Sequence, residues 1–126
     1  MTPIFGKNRR TSGDRQRREI EVEIMVAGRN MGKVYSLDLS PGGLRVAGIG
    51  LRLALSEQIN FSLLSQVDKY GGKGIVSRKD GPQEIKRIGG RLGNAFFIKV
   101  DEQKFRDFVE VKFNIKSVNK GDRLQH

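Results

Sequence analysis

The sequence contains no cysteine and no tryptophan, and its one histidine, His126, is the last residue. Without cysteine there is no disulfide framework and no thiolate metal site. A chain end does not hold an imidazole to the roughly 0.5 Å that catalysis demands. Nucleophile–histidine pairs and most transition-metal sites therefore have no material to work with. There is no Gly-x-x-x-x-Gly-Lys-Ser/Thr phosphate loop, and the glycine pairs at 71–72 and 89–90 do not fit a dinucleotide fingerprint. No enzymatic role, catalytic residue, metal or cofactor is expected. No apolar run approaches the roughly 20 residues of a membrane-spanning helix. Residues 1–7 lack the extended apolar region of a secretory leader, so the cytoplasm is the expected location. Aromatic residues are few, seven Phe and two Tyr, which argues against a general single-strand nucleic-acid binder, because such proteins stack bases on exposed rings. Neither DNA nor a membrane is expected as the primary partner.

A length of 126 residues with 37% hydrophobic content suits one domain with a modest core. Net charge is +10 and is concentrated at the ends. Residues 1–18 carry Lys7, Arg9, Arg10, Arg15, Arg17 and Arg18 against Asp14. Residues 112–126 carry Lys112, Lys116, Lys120 and Arg123 against Asp122. The body between them is nearly balanced. Basic ends attract phosphate-bearing partners without specifying which.

Residues 1–18 are rich in turn formers and read as an irregular, flexible basic segment. The barrel-like body is expected over 19–115, and a basic flexible tail over 116–126. From Glu19, apolar and acidic residues alternate. Ile20, Val22, Ile24 and Val26 share one strand face, and Glu19, Glu21 and Glu23 the other. Residues 27–32 read as a hairpin connection. Further strands are expected at 33–37, 44–47, 58–63, 73–78, 84–88 and 94–100, with Asp80-Gly81-Pro82 as a turn between two of them. Asp101 is placed to cap a helix. That helix runs from Glu102 to about Ile115, with Phe105, Phe108, Val109 and Phe113 on one face; residues 109–113 also fit a strand. Many short strands and sixteen glycines favour an antiparallel barrel with one C-terminal helix.

The chemistry-bearing segment is Asp38-Leu39-Ser40-Pro41-Gly42-Gly43, read as a tight turn between two strands. Pro41 presets a turn backbone, and Gly42 and Gly43 are free to take positive φ. Arg15, Arg17 and Arg18 lie upstream. A guanidinium fork matches the O6 and N7 acceptors of guanine and also pairs with phosphate. A carboxylate accepts from the donors on guanine's opposite edge, and a serine hydroxyl serves base or phosphate. The plainer reading of Asp38 and Ser40 is an Asx-type turn.

Taken together, residues 9–115 resemble the PilZ domain family of bacterial cyclic di-GMP receptors. That family pairs an N-terminal Arg-x-x-x-Arg loop with a downstream Asp/Asn-x-Ser-x-x-Gly motif. Asp38, Ser40 and Gly43 fit the second motif at every defined position. The strand beginning at Glu19, the Gly93-Asn94-Ala95-Phe96-Phe97-Ile98 segment and the C-terminal helix fall where the family has them. The resemblance implies a six-stranded antiparallel barrel with a helix near one end. It implies cyclic di-GMP as ligand, contacted by Arg15, Arg17, Arg18, Asp38, Ser40, Gly42 and Gly43. It also implies a conformational change on binding that signals to a protein partner, in motility, biofilm formation or a related output. One departure stands out. Asp14 occupies the place of the first arginine, and Arg15 and Arg18 are three apart, not four. Either Arg15 or Arg17 replaces the missing side chain, or Asp14 repels phosphate and the domain works as a ligand-free adaptor. Arg87 and Arg91 have the four-residue spacing but follow the expected barrel turn.

Overall fold

The computed structural model describes residues 16–65 and 69–113. Among them, eight strands and one α-helix occur in the order β1 (Gln16–Arg17), β2 (Glu21–Val26), β3 (Arg29–Asn30), β4 (Val34–Ser40), β5 (Gly43–Gly48), β6 (Gln58–Leu64), β7 (Lys69–Ile85), β8 (Arg91–Lys99) and α1 (Gln103–Lys112). All pairings are antiparallel. Strands β4, β5, β8, β7, β6 and β2 form a continuous sheet, and β2 pairs back to β4. The expected six-stranded ring is therefore closed, and closure removes the exposed edges that an open sheet would carry.

Alternation along the strands supplies the core. Val22 and Ile24 of β2 turn inward with Val34 and Leu39 of β4, Leu44 and Val46 of β5, and Phe96 and Ile98 of β8. The face of α1 read from the sequence closes one end: Phe105 and Val109 are fully buried, and Phe113 nearly so. Phe61, Tyr70, Phe105, Phe108 and Phe113 make a chain of ring contacts with centroids 5.0–6.0 Å apart. The helix continues through the segment that also fitted a strand. Its first-turn neighbour is Glu102, not the expected cap Asp101, and it caps with no side-chain hydrogen bond. Glu102 instead turns to β7, where it accepts from the Tyr70 hydroxyl at 2.8 Å and from the Lys73 backbone N–H at 3.4 Å.

Two expectations need correction. The Asp80-Gly81-Pro82 segment is not a turn. It lies inside the 17-residue β7, where a bulge between Lys79 and Gly81 absorbs Asp80 and Gly81 takes φ 76°. Pairing of β7 to β6 ends at Ile75, so beyond it β8 is the strand partner of β7 among the described residues. A proline, which lacks an N–H, is tolerated on such an edge. The end of the segment expected to be irregular is also ordered: Gln16 and Arg17 pair with Leu39 and Asp38. Residues 1–15 and 114–126, with most of both basic ends, lie outside the described residues. No described helix is long and apolar enough to cross a membrane.

The leader into β2, residues 16–20, is held by its backbone. The buried Ser36 hydroxyl accepts from the Ile20 N–H at 2.9 Å and donates to the Arg18 carbonyl. Glu19 is not on the solvated strand face assigned to it. Its carboxylate accepts from the backbone N–H groups of Arg87 at 2.7 Å and Lys86 at 3.2 Å, in the 3-10 turn Lys86–Ile88. Arg87 donates in return to the Glu19 carbonyl at 3.0 Å.

Two predictions follow from these contacts. Ser36→Ala removes the partner of two backbone groups, and an unsatisfied buried group costs about 1–3 kcal/mol. Denaturant unfolding should show a loss in that range, with faster amide exchange at Ile20; unchanged values would refute the tether. Burial above all, then the hydrogen bond and charge of Glu102, push the Tyr70 phenol above its usual value. The folded protein thus keeps a proton that the unfolded chain releases near pH ~10. The resulting stabilisation is complete below that pH and fades above it. Unfolding free energy should fall less steeply above pH ~10 in Tyr70→Phe than in the parent; parallel curves would contradict the assignment.

Candidate functional site

Asp38 and Ser40 are not in a turn. They belong to β4, and the connection to β5 is only Pro41 and Gly42. A bulge between Ser36 and Asp38 decides what these residues do. Regular alternation would send Leu37 and Asp38 to opposite faces, but a bulge puts two residues on one strand opposite one on its partner. Leu37 therefore joins Tyr35, Ala47, Ala95 and Ile85 in a small apolar cluster outside the main core, and Asp38 stands beside it on the same outer wall.

Asp38 is 5% exposed, and a carboxylate so enclosed requires a charged partner. Arg45, its register partner on β5, donates to Asp38 Oδ2 from Nε at 3.1 Å and from Nη2 at 2.7 Å. Arg45 Nη1 also lies 3.7 Å from Asp80 Oδ2. Asp80 in turn accepts from Arg78, Nε to Oδ1 at 2.5 Å and Nη2 to Oδ2 at 3.2 Å. The hydrogen bond to Asp80, opposed by burial and reinforced by the charges of Asp80 and Asp38, raises the Arg78 pKa above its usual value. Arg78 remains cationic at any physiological pH.

The register lines these groups up. Arg17 on β1 is opposite Asp38, Asp38 opposite Arg45, Arg45 opposite Phe97 on β8, and Phe97 opposite Arg78 on β7. The result is one lateral row of arginine, aspartate, arginine, phenylalanine and arginine positions across five strands. The Arg78 guanidinium carbon sits 5.1 Å from the centroid of the Phe97 ring, within cation–π range.

The other sequence-derived site residues fall as follows. Arg15 lies outside the described residues. Arg17 has the register position facing Asp38. Arg18, next along the leader, has its guanidinium carbon 5.1 Å from the centroid of the Phe113 ring at the helix end. Ser40, 3% exposed, donates to the Gly43 carbonyl at 3.4 Å across the turn. Gly42 does not take positive φ among the described residues; its carbonyl accepts from the Val100 N–H at 3.0 Å. Gly43 is needed for close approach. A Cβ there would collide with the Ile98 carbonyl and lie 2.8 Å from the Phe97 ring, so the missing side chain lets the ring lie over the strand.

Arg45, Arg78, Asp80 and Phe97 escaped the sequence reading. For Arg45 a signal existed: two residues past Gly43, it shares that strand face. For Arg78 and Asp80 none did, because bulges at both Val76/Arg78 and Lys79/Gly81 set which way they face.

Comparison with known proteins places this geometry on a known architecture. No family model matches the sequence. No curated protein matches it either. Among solved structures, the chain is similar to the Bacillus subtilis inhibitor of motility MotI/DgrA, at 15% sequence identity and a TM-score of 0.55, with 86% of this chain and 53% of that one covered. The chain thus spans about half the length of that protein, which is named as an inhibitor rather than an enzyme. At this identity the likeness is one of fold: a closed antiparallel barrel with a C-terminal helix.

Proposed function

We propose that the chain is a receptor domain for cyclic di-GMP, working through a protein partner rather than by catalysis. The observation that carries this reading is the outer-wall row, in which Asp38 faces the Arg17 position on one side and is ion-paired to Arg45 on the other. Guanine presents N–H donors on one edge and the O6 and N7 acceptors on another. A carboxylate with the Arg45 guanidinium beside it addresses both, and the surplus positive charge serves the two phosphates. The Asp38, Ser40 and Gly43 spacing supports the same ligand through the PilZ resemblance. The barrel likeness to a motility inhibitor supports a regulatory output, with motility as the first process to test. Ligand contact at the Arg17 position would change the conformation of the leader, a switch a partner can read.

Asp14, at the place of the first motif arginine, favours a second reading, a ligand-free adaptor that acts through protein contacts alone. Isothermal titration with cyclic di-GMP separates the two. The receptor reading expects saturable binding. It also expects Arg17→Ala and Asp38→Ala each to weaken that binding about tenfold or more, since a charged hydrogen bond is worth about 1.5–3 kcal/mol, while circular dichroism stays native. Heats equal to buffer dilution for the parent protein would favour the adaptor.

A further inference from the structure

The row does not stop at Asp38 and Arg45. On its far side, Arg78 is fixed in one geometry by the two hydrogen bonds it donates to Asp80 and lies over the Phe97 ring. Asp80 is nearly buried, at 10% side-chain exposure, but Arg78 keeps 55% of its side chain open to solvent. A guanidinium with a ring beneath it and water above is a platform for a further flat, electron-rich ring. From β4 to β7 the row crosses three strand spacings, about 14 Å, which is longer than a single nucleobase reaches.

We propose that Arg78, seated on Phe97, is a second base-stacking residue. A ligand held at Asp38 and Arg45 then places another purine on Arg78, and the site is built for two bases rather than one. This rests on the receptor reading above. It goes beyond that reading by assigning β7 and β8 a direct part in ligand contact.

The test is cyclic di-GMP titration of the full chain and of Arg78→Ala and Arg78→Lys, each checked for an unchanged melting temperature. Stacking on an aromatic platform predicts that Arg78→Ala weakens binding about fivefold or more. Arg78→Lys, which keeps the charge but lacks the planar group, should be nearly as weak. A change below that threshold in Arg78→Ala would overturn the proposal while leaving the receptor reading intact. So would parental affinity in Arg78→Lys, because charge alone would then account for the effect. If the parent protein itself gives no binding, the receptor reading fails and this inference fails with it. If either variant melts at a lower temperature, Phe97→Leu, which removes the ring beneath the guanidinium and keeps bulk over Gly43, provides the second measurement with the same thresholds.

Discussion

A carboxylate buried in the outer wall of a barrel is the constraint on which the candidate site depends. Asp38 has little access to water, and an isolated charge in that position would be strongly disfavoured. Arg45 makes the position tolerable by donating twice to one oxygen. Arg45 is in turn steadied by Asp80, which also holds Arg78. Carboxylates hold the guanidiniums of Arg45 and Arg78, so both are aimed before any ligand arrives. Preorganised donors of this kind lose less conformational freedom on binding than free surface side chains do.

The wall is rigid because of what lies behind it. The ring of six strands is closed, and its interior is filled by aliphatic side chains and by the aromatic face of α1. Bulges in β4 and β7 then select which side chains leave that interior. The leader reaches the wall through backbone contacts. Ser36 holds residues 18 and 20, and Glu19 is bound to the 3-10 turn. Those fixed points deliver Gln16 and Arg17 to β4. Arg18 is drawn towards Phe113 at the helix end.

The elements whose side chains follow simple periods were legible in the sequence. The inward face of β2 and the buried face of α1 were read correctly because alternation and helical spacing are direct consequences of backbone geometry. Motif spacing also singled out Asp38 before any fold was known. What could not be read were departures from period. Asp80-Gly81-Pro82 carries turn chemistry, but one long strand runs through it, because β8 supplies pairing past the end of β6 and a bulge absorbs the odd residue. Asp38 and Ser40 were read as a turn for a similar reason: Pro41-Gly42-Gly43 marks the reversal, but not how late it comes. Arg78 and Phe97 are nineteen residues apart and meet only through strand register, which no local pattern encodes.

The most direct test of the account is the map of backbone amide resonances in the isotope-labelled protein as cyclic di-GMP is added to saturation. The row predicts that the largest shifts trace Arg17, Asp38, Arg45, Phe97 and Arg78 across β1, β4, β5, β8 and β7, with little change in α1. Shifts centred on the helix or on the loop at 49–57, or spectra that do not change at all, would contradict it.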